Sequence, residues 1–304
     1  LTNFDVRWSG SRASDNLGRN NLISTNELDE PTAPSVQLVN VDGNAFANDL
    51  LISASFADSG GRLNAGAVYL IKDVNTLSGV KDMNVMTSFN VAVYGSAASD
   101  GLGASFSSGQ TVVLGNLDGN SVPNDLLFSV PNTDFTFATQ GSLYLLKDVN
   151  TLSGIVDFNS TSQFNARWDG ENASASLGWS SDSGNGVEIV KIDDNAVAND
   201  VLVISTGAGA LFNGKVYLIK DINSASGILP LTTSTNYSVA WVGGSILDGL
   251  GTTALAGDGV QLVNADGNAY ANDLIISATS ADAGAADNGA VYLVMDVDKK
   301  SGSN

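Results

Sequence analysis

Short apolar runs rich in Val, Ile, Leu and Tyr alternate with clusters of Gly, Asn, Asp and Ser along the chain, and no stretch carries helical periodicity with caps at both ends. This pattern returns four times. NVDGNAFANDLLIS at 40–53 reappears as NLDGNSVPNDLLFS at 116–129, KIDDNAVANDVLVI at 191–204 and NADGNAYANDLIIS at 264–277. Each copy precedes a Tyr-centred run: GAVYLIKD (66–73), GSLYLLKD (141–148), GKVYLIKD (214–221) and GAVYLVMD (289–296). The Asn-Asp pair recurs with a period of 73–76 residues, so four units consume almost the whole chain and function must lie in the array itself.

Three strands are predicted per unit, in the first at VQLVNVD (36–42), DLLISA (49–54) and GAVYLIK (66–72). A fourth is predicted after a longer connection, at FNVAVYG (89–95), FNARWDG (164–170) and YSVAWVG (237–243). The expected fold is all-β: a β-propeller-like array of four four-stranded antiparallel blades in a single domain of 1–304, with repeats at 36–95, 111–170, 186–243 and 259–296. A further copy of the fourth strand, FDVRWSG, opens the chain at 4–10, whereas the last unit stops after its third. The N-terminal strand is therefore expected to complete the last blade, either in cis or in a neighbouring subunit, with Phe4, Val6 and Trp8 as assembly anchors.

The units resemble FG-GAP repeats, the modules of integrin α-subunit propellers and of many bacterial surface proteins. The Phe-Gly turn of that family corresponds to Asp15-Asn16-Leu17-Gly18, Asp100-Gly101-Leu102-Gly103, Ser176-Leu177-Gly178 and Asp248-Gly249-Leu250-Gly251, with Leu in place of Phe throughout. The resemblance implies a propeller and a calcium-binding Asp/Asn loop. Carried onto this sequence, the ligands would be Asn40, Asp42, Asn44 and Asn48 or Asp49 in the first loop, and Asn116, Asp118, Asn120 and Asn124 or Asp125 in the second. In the fourth they would be Asn264, Asp266, Asn268 and Asn272 or Asp273. Calcium takes six to eight oxygens, and Asn replaces Asp at two of the liganding positions, so any such site is expected to be weak. The bland alternative is a set of Asx-turns that satisfy backbone donors between two strands. The third loop opens on Lys191 and is expected to be empty of calcium.

Composition narrows the function. A net charge of −19 over 304 residues argues against nucleic acid and against docking on an anionic membrane. With neither cysteine nor histidine, disulfides, thiolate sites and a Ser-His-Asp triad are all impossible. A non-enzymatic role is expected, and the carboxylates Asp193-Asp194 and Glu27, Asp29 and Glu30 are read as surface charges. No apolar run approaches the roughly 18 residues of a spanning helix. The first residue, Leu1, is read as the start of a processed chain that is secreted or displayed at the cell surface.

Aromatic residues of the outer strands, Trp8, Tyr94, Trp168 and Trp241, are read as packing residues rather than sugar-stacking platforms. Asn159, Asn172 and Asn236 stand in glycosylation sequons. The expected function is an extracellular structural protein, a subunit of a fibre or surface assembly whose partner is itself. The alternative is a calcium-assisted adhesin or lectin-like module that binds glycan or protein through its loops.

Overall fold

Every repeat opens as a three-stranded antiparallel meander, and in the first three the middle strand is buried at every position, which is why its sequence reads as a nearly continuous apolar run. The computed structural model describes residues 3–18, 35–104, 111–179, 185–252, 259–282 and 288–303. A strand β1 (Val6–Ser9) precedes the first repeat. Repeat 1 comprises β2 (Val36–Val39), β3 (Asp49–Ala54), β4 (Ala67–Ile71), β5 (Gly79–Asp82) and β6 (Val91–Tyr94). Repeat 2 comprises β7 (Val112–Gly115), β8 (Asp125–Val130), β9 (Ser142–Leu146), β10 (Gly154–Asp157) and β11 (Ala166–Asp169). Repeat 3 comprises β12 (Val187–Val190), β13 (Asp200–Ser205), β14 (Lys215–Ile219), β15 (Gly227–Pro230) and β16 (Val239–Val242). Repeat 4 holds β17 (Val260–Val263), β18 (Asp273–Ala278), β19 (Ala290–Val294) and the two-residue β20 (Gly302–Ser303). The fold is all-β, and no described helix is long and apolar enough to cross a membrane.

Of the blades expected to be four-stranded and antiparallel, the first three are instead mixed sheets of five strands, and the fourth is an antiparallel sheet of three among the described residues. The connection after the third strand supplies an extra short strand that crosses to the preceding repeat. There it pairs in parallel with that repeat's outer strand: Gly154 lies opposite Val91, Gly227 opposite Ala166 and Gly302 opposite Val239. Successive sheets are thus stitched together by hydrogen bonds as well as by packing.

β1 uses the same parallel ladder on β5, with Val6 opposite Gly79. It occupies the place of an outer strand belonging to a repeat before the first. Trp8 and Leu17 pack on the core of repeat 1 and hold it there. Of the two expected ways of completing the last blade, in cis or in a neighbouring subunit, the cis pairing is not formed in this structure: among the described residues β1 pairs with β5 and with no strand of repeat 4. Among the described residues no strand joins the last sheet to the first.

Three apolar cores lie between successive repeats. One joins Leu51, Val68 and Leu70 of repeat 1 to Phe128 and Tyr144 of repeat 2. The next two join repeats 2 and 3, and repeats 3 and 4. Leu102, Leu177 and Leu250, the leucines of the Leu-Gly turns, are buried in these three cores. The turn is tight enough at Gly66 (φ +81°) that a Cβ there would stand 2.3 Å from the Leu102 nitrogen. The carboxylates Glu27, Asp29 and Glu30 lie outside the described residues.

Candidate functional site

The Asp/Asn loops between the first two strands of each repeat are built on a buried aspartate at the start of the second strand. Asp49 Oδ2 accepts from the Val41 N–H at 2.8 Å, and its Oδ1 accepts from the Asp73 N–H at 3.0 Å. Asp125, Asp200 and Asp273 repeat both bonds. Burial pushes the Asp125 and Asp200 carboxyls above their ordinary range, and the backbone donors pull them partly back. The loop tips are Asx-turns: Asn40 Oδ1 accepts from Gly43 N–H at 2.9 Å, and Asp42 Oδ1 accepts from Asn44 N–H at 3.3 Å. Asn116 and Asp118, and Asn264 and Asp266, make the same turns.

A third carboxylate joins each loop from the end of the third strand. Asp73, Asp148, Asp221 and Asp296 all adopt the left-handed conformation, with φ of 53–54°. Ligand oxygens of Asp42, Asp49 and Asp73 lie within 4.8 Å of one another, as do those of Asp118, Asp125 and Asp148, and of Asp193, Asp200 and Asp221. Sequence reasoning missed this third group, although an aspartate closes every Tyr-centred run. The third loop, expected to be empty because of Lys191, therefore brings three carboxylates together, and the Lys191 side chain is exposed. The fourth loop differs, because Lys299 Nζ sits 2.7 Å from Asp296 Oδ1.

Amide groups already face these carboxylates. Asn44 and Asn48 Nδ2 donate to Asp73 Oδ1 at 3.2 and 3.0 Å, and Asn120 and Asn124 Nδ2 donate to Asp148 Oδ1 at 3.1 and 3.3 Å. Asn268 and Asn272 Nδ2 reach Asp296 Oδ1 at 3.3 and 3.4 Å. Three carboxylates supply only part of the six to eight oxygens that calcium takes, and an ion would compete with two amide donors for the same oxygen.

The assembly anchors sit at the first end of the array. Trp8 and Val6 are half-buried, while Phe4 is exposed with the Arg7 guanidinium 5.5 Å from its ring centroid. Strand registers place Val93, not Tyr94, at the position shared by Trp8, Trp168 and Trp241. Trp168 and Trp241 are buried in the inter-repeat cores, as packing residues should be. Asn172 Nδ2 donates to Gly207 and Gly209 carbonyls, Asn236 Nδ2 donates to the Pro230 carbonyl, and Asn159 is exposed. A groove of about 470 Å³ lies between repeats 2 and 3, and among the described residues that line it Glu188 is the one carboxylate. No protein-family model matches this chain, and no curated protein matches it.

Proposed function

We propose that this protein is a non-enzymatic extracellular structural subunit, an FG-GAP-like, propeller-like array of sheets that assembles with further copies of itself through its ends. The observation that carries this reading is the state of β19. Val291, Tyr292 and Leu293 are 72%, 43% and 55% exposed, whereas every equivalent in the first three repeats is essentially buried. Repeat proteins that stay monomeric cover such an end with a polar cap, and an open apolar edge strand favours association. The acidic, cysteine-free composition and the absence of histidine fit a structural role better than a catalytic one.

The test is the mass distribution of the full chain, with electron microscopy, beside a deletion of residues 1–10. Concentration-dependent assembly of the full chain and a monomeric deletion are expected. A full chain that stays monomeric at every concentration overturns the reading. The convergence of three carboxylates in each of the first three loops favours a second reading, a calcium-assisted adhesin that binds glycan or protein through those loops. Calcium-dependent ligand capture by a monomer would support it over the first.

A further inference from the structure

The two ends of the array carry the two halves of one internal junction. Outer strands pair antiparallel with the third strand of their own sheet in a fixed register: Val93 faces Val68, Trp168 faces Leu143 and Trp241 faces Val216. Among the described residues β1 has its parallel partner on β5 and no antiparallel partner, while β19 has β18 on one side and an open edge on the other. Each strand lacks what the other supplies.

A second feature matches, on different residues. Val122 of repeat 2 rests over Gly43 of repeat 1, so closely that a Cβ on Gly43 would stand 2.5 Å from Val122 Cγ1. Val197 of repeat 3 stands over Gly119 of repeat 2 in the same way, 3.4 Å from where a Cβ would be. The corresponding residue of repeat 1, Phe46, is 73% exposed, and the corresponding cradle of repeat 4, Gly267, has nothing within 4 Å of its missing Cβ. The faces agree as well. Leu114 and Ile189 pack against the core shared with the preceding repeat, but their equivalent Leu38 is 61% exposed. At the far end Val291 and Leu293 lie bare, although Val68 and Leu70, their equivalents, are buried in the first inter-repeat core.

The geometry points to a specific head-to-tail joint between two copies of this chain, a deepening that rests on the self-assembly reading above. β1 of one copy adds to β19 of the next, antiparallel, with Ser9 opposite Ala290, Trp8 opposite Val291, Arg7 opposite Tyr292 and Val6 opposite Leu293. Phe46 of the incoming copy seats on Gly267, and Leu38 covers Val291 and Leu293. The contact is heterologous, so it leaves a free end after each addition and propagates. β1 then gains the second ladder that every internal outer strand has.

The register can be tested by covalent trapping, because the chain contains no cysteine. Gly95, Gly170 and Gly243 N–H groups donate to the carbonyls of Gly66, Gly141 and Gly214, so the next pair inward is a non-hydrogen-bonded one with closely approaching side chains. Ser9 and Ala290 form that pair in the joint, within reach of a disulfide and with little change of volume. Oxidised S9C/A290C is expected to give a reducible ladder of covalent multimers, and N3C/A290C, displaced along the strand, is expected to give none. Assembly without a ladder from S9C/A290C overturns this joint while leaving self-assembly standing. A disulfide closed within one monomer, or a covalent dimer and nothing longer, overturns the open array. No assembly of the unmodified chain at any concentration overturns both. As a second variant, Phe46→Ser should leave the dissociated chain's melting temperature unchanged and raise the concentration needed for assembly at least tenfold; unchanged assembly counts against the joint.

Discussion

Tyr69 and Tyr292 occupy the same position in the third strand of the first and last repeats, yet one is 2% exposed and the other 43%. Tyr69 packs on Phe89 with ring centroids 5.3 Å apart, and Phe89 leads into β6, an outer strand with no counterpart on β19 among the described residues. Truncating the two should therefore separate folding from assembly. Tyr69→Ala is expected to cost about 3–5 kcal/mol of stability, the usual range for a buried aromatic. Tyr292→Ala should cost less than about 1 kcal/mol in the dissociated chain and weaken self-association. Urea melts at concentrations below assembly, paired with sedimentation above it, give both numbers.

A lysine at the end of each internal third strand bridges to the next repeat. Lys72, Lys147 and Lys220 Nζ donate to the carbonyls of Asn150, Asn223 and Asp298 at 3.0, 2.9 and 2.6 Å. In repeat 4 the position is Met295, so the joint between copies lacks this bond. Met295→Lys is expected to donate to the Asn75 carbonyl of the following copy. A net hydrogen bond of about 0.5–1.5 kcal/mol lowers the concentration for half-assembly by roughly two- to tenfold. Light scattering against concentration measures it, and a weakened assembly would show that the joint departs from the internal one.

Much of this architecture was legible because its signals are local. The turn clusters, the buried middle strands at 49–54, 125–130, 200–205 and 273–278, and the outer strands that follow a longer connection all announce themselves within a few residues. β5, β10, β15 and β20 do not. GVKD and its counterparts are two to four residues long, largely exposed except in β10, and held by a parallel ladder to a strand outside their own repeat. No local periodicity records that partnership. With it unseen, β1 had no visible partner near its own end and was assigned to the far one. The site followed the same logic: Asp42 and Asp49 lie in the recognisable loop, whereas Asp73 arrives from 24 residues away in sequence, next to Asp49, through its own backbone bond.

The loops make a prediction that separates a structural aspartate from a metal ligand. Asp49 is fully buried and accepts two backbone N–H groups, so Asp49→Ala strands two buried donors. At about 1–3 kcal/mol each, the expected loss is about 2–6 kcal/mol. Asp42 caps only the Asn44 N–H at the loop tip, and Asp42→Ala should cost less than about 1 kcal/mol. If calcium joins the loops, millimolar calcium raises the melting temperature of the unmodified chain and this rise shrinks in Asp42→Ala. Equal melting temperatures with calcium and with chelator would identify the loops as Asx-turn networks alone.

Asp100 sets the sign of a pH effect. Its carboxylate, 1% exposed, accepts from Ser96 Oγ at 2.5 Å and from the Ala97 N–H at 2.7 Å. Burial raises its pKa above the ordinary carboxylate value, and these hydrogen bonds offset only part of the rise. A carboxyl with a raised folded-state pKa keeps its proton to higher pH in the native chain than in the unfolded one. Its contribution to stability is therefore complete below the unfolded value of about 3.9 and is lost as pH rises through the folded value. Asp100→Asn cannot titrate. The melting temperature of the unmodified chain minus that of Asp100→Asn should accordingly fall between pH 4 and pH 7. Repulsion among the remaining acidic groups is common to both chains and largely cancels in the difference. A difference that grows with pH would mean that the two donors outweigh burial and hold the carboxylate charged.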